Sequence, residues 1–187
     1  MKRRAEAWRG ATLFKEGFGQ VMVARFKGQD EVEVGVFLLD LYCLGVKNAF
    51  FTRVSLFDYE GSLLASLDEE GGRRSMSPAC VRKLVEGAVA YARGLGLEPH
   101  PDYRDGARVF GGIDPAECTE TFVYGHDGKP LYIRTPHDSE AFANRVMGTL
   151  MRRLGPDGFH YILALGPFPD VVGGDEAEDA EDRGGNS

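Results

Sequence analysis

The chain has no run of about 20 apolar residues, no long block of lysine and arginine, and no closely spaced pair of cysteines, and each lack removes a class of protein. Its most hydrophobic stretch, Val34 to Val46, is short and broken by Asp40, so it reads as a buried strand and turn and not as a membrane span. The basic clusters Lys2-Arg3-Arg4, Arg73-Arg74 and Arg152-Arg153 are too brief to suggest a face that neutralises phosphates. The formal net charge is −7, and the acidic residues between 170 and 187 account for nearly all of it, which leaves the body close to neutral. Nucleic acid is therefore not an expected partner. The basic triplet at the start is followed by Glu6, Trp8, Arg9 and Lys15 where a signal peptide would place an apolar core, so the expected location is cytoplasmic. Cys43, Cys80 and Cys118 are far apart and odd in number, and they form no C-x-x-C. Neither a disulfide framework nor a zinc knuckle is expected, and all three are expected to stay reduced, Cys43 and Cys80 as small buried hydrophobes.

Several catalytic signatures are also missing. There is no Gly-x-Ser-x-Gly nucleophile elbow, and no cysteine stands beside a histidine. Gly17-Phe-Gly19 and Gly94-Leu-Gly96 are too short for a dinucleotide fingerprint, which needs a strand, three glycines and a helix in order. Asp127-Gly128-Lys129-Pro130 lacks the glycine spacing and terminal Lys-Ser/Thr of a phosphate loop, and reads as a turn with Lys129 at its tip.

What is present is enough apolar residue, 43% of 187, to build a core. Residues 1–169 read as one globular domain and 170–187 as an acidic disordered tail with almost nothing to repay the entropy of ordering. Residues 4–16 suggest a short helix ending at Gly17. Val21, Val23 and Phe26, then Val32, Val34, Val36 and Leu38, follow the strand period around a turn at Lys27-Gly28-Gln29-Asp30, which makes a β-hairpin. Residues 43–75 keep no clean period and are compatible with a helix or a covering loop. Ser77 and Pro78 open a helix whose stripe is Val81, Leu84, Val85, Ala88, Val89 and Ala92, closed near Gly94, with Arg82, Lys83, Glu86 and Arg93 on a water-facing side. Pro99-His100-Pro101 is a rigid bend, and Arg108 to Phe110 a candidate short strand. Thr121, Val123, Leu131 and Ile133 around the Asp127-Gly128 pair predict a second hairpin. A helix over 139–154, carrying Phe142, Val146, Met147, Leu150 and Met151, and a last strand near 160–165 complete the reading. The predicted fold is α+β, a mixed sheet from two hairpins with two main amphipathic helices packed on it, in which hairpin, helix and strand come twice in the same order.

Three of the four histidines stand beside an aspartate, as His100-Pro-Asp102, His126-Asp127 and His137-Asp138. Imidazole and carboxylate together suit a divalent cation or a base with its orienting group, but only where the fold gathers them, since none has the helical spacing that forces two ligands onto one face. The plainer reading makes Asp127 a turn residue and Asp138 or Ser139 a helix cap. The candidate metal ligands are His100, Asp102, His126, His137 and Asp138, with Asp127 beside them. The candidate binding residues are Lys47, His100, Asp102, Tyr103, His126, Asp127 and Lys129, drawn from the segments 44–48, 99–103 and 126–129 that flank the clearest elements.

The segments Phe37-Leu-Leu-Asp-Leu-Tyr-Cys-Leu-Gly-Val-Lys-Asn48, Ala90-Tyr-Ala-Arg-Gly-Leu-Gly-Leu-Glu-Pro-His-Pro-Asp-Tyr103 and Tyr124-Gly-His-Asp-Gly-Lys-Pro-Leu-Tyr132 resemble an uncharacterised family of bacterial hypothetical proteins over about a fifth of the chain. The resemblance implies a bacterial, cytoplasmic setting and supplies no activity, cofactor or catalytic residue. Where that family would place a Gly-Pro pair before the aspartate, this chain has Thr135-Pro136-His137-Asp138, so the resemblance gives His137 no role. The leading expectation is a small binding or interaction module with a protein or small-molecule partner and no cofactor. The alternative is a metal-dependent hydrolase or nuclease that uses a divalent cation held by the His/Asp residues.

Overall fold

The computed structural model describes residues 5–163. The acidic tail expected at 170–187, the basic triplet at the start and the end of the last strand lie outside the described residues. The fold is α+β. No helix among the described residues is long and apolar enough to cross a membrane.

Strand β1 (Ala5–Gly10) and the short helix α1 (Leu13–Glu16) lead into β2 (Phe18–Lys27), β3 (Glu31–Asp40) and β4 (Gly45–Ser55). A helical stretch follows, made of α2 (Leu56–Asp58), a π-helical turn over Tyr59–Leu63 and α3 (Leu64–Glu69), and then β5 (Arg73–Met76). The five strands form one antiparallel sheet in the order β4-β3-β2-β1-β5. The hairpin expected around residues 27–30 is the β2–β3 pair, in register from Phe18 opposite Asp40 to Lys27 opposite Glu31.

Both faces of this sheet are covered, and the period of two sorts the central side chains between them. Val21, Val23, Phe37 and Leu39 face one core with the long helix α4 (Pro78–Gly94), while Met22, Ala24, Val32, Val34 and Val36 face another with Tyr59, Leu64 and Leu67. The stretch 56–69, compatible beforehand with helix or loop, is thus the helical cover of the second face. That double burial is why β3 carries no polar side chain from Val34 to Leu39.

Three expectations change. Residues 5–10 are a strand and not a helix, because β2 and β5 offer ladder partners on both sides and that pairing outweighs a weak local preference; only Leu13–Glu16 is helical, with Gly17 capping it at φ 69°. Residues 108–110, expected as a strand, belong to a 3₁₀ turn (Ala107–Phe110) after the short helix α5 (Tyr103–Gly106). This segment packs so closely on β3 that a Cβ on Gly35 would lie 2.5 Å from Val109 Cγ1. The third change concerns the second hairpin. Its turn forms, with mutual backbone bonds between His126 and Lys129 and positive φ at Asp127 and Gly128. Its arms do not pair with each other. Gly125 N–H donates to Leu41 C=O and Leu131 N–H to Tyr42 C=O, while β6 (Leu131–Arg134) pairs in parallel with β7 (His160–Leu163). Hairpin, helix and strand therefore do not recur as two equivalent units.

Helix α6 (Glu140–Leu154) is the second long helix, capped by Ser139, whose hydroxyl accepts the Phe142 N–H at 3.1 Å. It packs Ala143, Val146 and Leu150 on Tyr132, Phe159, Leu95 and Leu97 in a third core.

The cysteines also differ from expectation. Cys80 on α4 and Cys118 form a disulfide with their Cα atoms 4.9 Å apart, and Cys43 alone is free and buried. The two partners lie 38 residues apart, and only the path of residues 111–125 across α4 brings them together.

Candidate ligand cleft

Two of the three segments singled out in the sequence meet. The start of β4 (Leu44, Val46, Lys47), the turn after α4 (Gly96 to Pro101) and the α6 side chains Phe142, Arg145, Val146 and Thr149 enclose a cleft of about 440 Å³. Its walls are held by backbone geometry. Gly45 enters β4 at φ 70° so close to α4 that a Cβ there would lie 2.7 Å from Ala88 O. Gly96, at φ 84°, lets the chain turn off α4, and the Leu97 N–H closes that turn on Ala92 O at 3.0 Å. A Cβ on Gly96 would sit 3.1 Å from Thr149 Cγ2, which shows how tightly the turn meets α6. The His100 N–H then donates to Val46 O at 2.9 Å and ties the proline-rich bend to the edge of β4.

The interior of the cleft is mainly aliphatic and aromatic: Leu44, Val46, Leu97, Phe142 and Val146. Its ionisable groups are Lys47, His100, Arg145 and Glu98. Glu98 is engaged by Arg93 at 3.2 Å, and Lys47 is held by Asp138 at 2.9 Å and by the Thr135 hydroxyl at 3.0 Å. Arg145 is exposed, lies 5.9 Å from the Phe142 ring and has no carboxylate partner among the described residues.

The histidine–aspartate neighbours resolve into separate local arrangements. His100 Nδ1 accepts the Asp102 N–H at 3.2 Å, with the Asp102 carboxylate 3.7 Å away. His126 stands against Asp127 at 3.3 Å and against the edge of the Tyr42 ring at 5.0 Å, within the turn whose Lys129 donates to Asp157 O. His137 is exposed. Asp138 is buried and occupied: Thr135 N–H, the Tyr132 hydroxyl and Lys47 all donate to it. Burial pushes its carboxyl up, but the Thr135 amide and Lys47 outweigh burial and hold it below the ordinary aspartate value. Tyr103 packs on Phe37 at 6.3 Å, and burial raises its phenol. Among the described residues no group of three or more histidine, cysteine, aspartate or glutamate side chains is placed to hold a metal ion.

A smaller cavity of about 170 Å³, lined by Glu16, Gly17, Phe18, Asp40, Tyr42, Lys47, Ile133 and Thr135, shares Lys47 with the main cleft. Here Asp40 ends β3 and its carboxylate accepts the N–H groups of Tyr42 and Cys43 at 2.9 and 3.0 Å. Burial dominates at this site and pushes the Asp40 carboxyl up to about 6 despite those bonds.

Of the cleft's polar residues, Lys47 and His100 were legible as candidates in the sequence. Arg145, Thr149 and Gly96 were not, since α6 advertises only an apolar stripe and Gly96 only a helix end. No protein-family model matches the chain, and neither a curated protein nor a solved structure matches it.

Proposed function

We propose that the protein is a small binding module that takes a small-molecule ligand in the cleft between β4, the bend at 96–101 and α6. The observation that carries this reading is the convergence of three separate chain segments on one apolar hollow with its charges at the lining's polar residues, at a volume typical of small-molecule sites. The His/Asp neighbours support the metal-dependent hydrolase reading less well, since a catalytic cation needs about three protein ligands in one place. The near-neutral body likewise favours a small molecule over duplex nucleic acid. The proposed setting is cytoplasmic. The Cys80–Cys118 bridge pulls against that setting, because cytosolic thiols are kept reduced, and a free-thiol count on protein taken from its native cells decides the matter.

The test uses 1-decanol, a neutral probe for the apolar hollow. Titration followed by backbone amide NMR should shift Leu44, Val46, Leu97 and Thr149 with saturation. Thr149→Trp, which fills the hollow from α6, should abolish saturation while the protein stays folded. A titration in which decanol moves none of these amides, or moves them equally in Thr149→Trp, overturns the reading.

A further inference from the structure

Resting on that reading of the cleft, we infer that its ligand is a single-chain amphiphile with a phosphate head, the apolar body inside and the head held by Arg145 and Arg152 on α6. Three observations lead there. First, the cleft does not end at Thr149. Gly96 and Thr149 also line an open hollow whose other walls are Arg152 and Arg153, so an apolar interior runs directly into a basic mouth. Second, the cations of the cleft and of its mouth differ in how they are used. Arg153 Nε donates to Gly94 O at 3.0 Å and fastens α6 to the end of α4. Among the described residues Arg152 donates to the Thr149 hydroxyl, at 3.2 Å, and Arg145 faces the Phe142 ring. Neither Arg145 nor Arg152 has a carboxylate partner among the described residues. Residues 145, 149 and 152 follow the i, i+4, i+7 spacing of one helix face, so two arginines whose backbone positions are about 10 Å apart along the axis flank a threonine hydroxyl.

Third, helix electrostatics do not account for Arg145. Cations in the last turn, such as Arg152 and Arg153, are favoured by the carbonyl end of a helix. Arg145 lies in the N-terminal half of α6, where the dipole gives a cation nothing, and it lines the cleft. A planar guanidinium there matches phosphate with two parallel N–H···O bonds, which a lysine does not. Among the described residues the one carboxylate that lines the cleft, Glu98, is already engaged by Arg93.

The experiment compares decyl phosphate with 1-decanol on the full-length protein, below the micelle concentration, by calorimetry and the same NMR shifts. Decyl phosphate should bind about tenfold more tightly than decanol, as expected for charge-assisted hydrogen bonds to the head. Arg145→Gln should bring decyl phosphate down to the affinity of decanol, Arg152→Gln should cost less, and Arg74→Gln, on the remote strand β5, should leave the ratio unchanged. Raising salt to about 0.5 M should weaken the phosphate probe and not decanol. Equal affinities for the two probes, or an unchanged ratio in Arg145→Gln, would overturn the head-group inference while leaving the cleft standing. Failure of both probes removes the cleft itself. Binding to phosphatidic acid vesicles without any tightening of monomeric decyl phosphate would also overturn the inference, in favour of a membrane surface.

Discussion

Strand β3 and the segment 111–125 find partners for their backbone groups in opposite ways. β3 lies between β2 and β4, and its N–H and C=O groups pair with theirs along its whole length. The segment 111–125 has one short 3₁₀ turn (Pro115–Glu117) and no strand partner among the described residues, yet it is fastened to α4 through Cys118 and Tyr124. Its carbonyls are served by side chains instead. Arg82 donates to Ile113 O at 2.6 Å, Lys83 to Cys118 O at 3.0 Å and Glu120 O at 2.7 Å, and the Tyr124 hydroxyl reaches back to Leu84 O at 3.0 Å. Arg82 and Lys83, expected to face water, are therefore ties between helix and strap. A sheet is held by what its neighbours' backbones supply, whereas a strap depends on a few named side chains and one covalent link.

That contrast predicts where each region breaks. The largest effect is expected in the sheet–helix core, where Leu84 is fully buried; Leu84→Ala should cost about 4 kcal/mol in urea unfolding, with loss of the sheet and strap together. An intermediate effect is expected at the strap. Removing the disulfide by Cys80→Ala with Cys118→Ala should cost about 3 kcal/mol through the loop it closes, and amide exchange should rise first in residues 111–125. If β2 and β3 exchange as early as the strap does, the two regions are one cooperative unit and the comparison fails.

The smallest effect tests the end of β3, where Asp40 replaces ladder partners for Tyr42 and Cys43. Its folded-state value, about 6, stands above the ordinary 3.8, so the folded protein holds this proton more tightly than the unfolded chain does. The contribution is therefore full below about pH 4 and is lost as pH rises through 6. Asp138 has the opposite sign: its contribution is present above the ordinary value of 3.8 and disappears as pH falls through its lowered folded value. Denaturation at a series of pH values should show the decline between 4 and 6 in the wild type and not in Asp40→Asn. A decline that persists in the variant assigns it to another group.

Much of the local structure is legible in the sequence alone. The alternation of residues 21–38, the stripe on residues 81–92, a helix cap at Asp138 or Ser139, which is Ser139, and the Asp127-Gly128 turn all appear where the pattern puts them. The misreadings share a cause. β1 is a strand because β2 and β5 flank it, β6 left its expected hairpin because β7 offered a parallel partner, and Cys80 met Cys118 because the strap crosses α4. Each depends on a contact with a distant segment. The candidate site divides the same way. Lys47 and His100 stood out as polar residues in unusual local settings, but their meeting with Arg145 and Thr149 across the cleft carries no local signal.

By itself the sequence determined the hairpin, the two long helices and the tight turns, because periodicity, capping and positive φ act over a few residues at a time. Only the tertiary structure decided which strands pair, which cysteines join and which side chains share a cleft, because those outcomes turn on burial and partner availability between segments far apart in the chain.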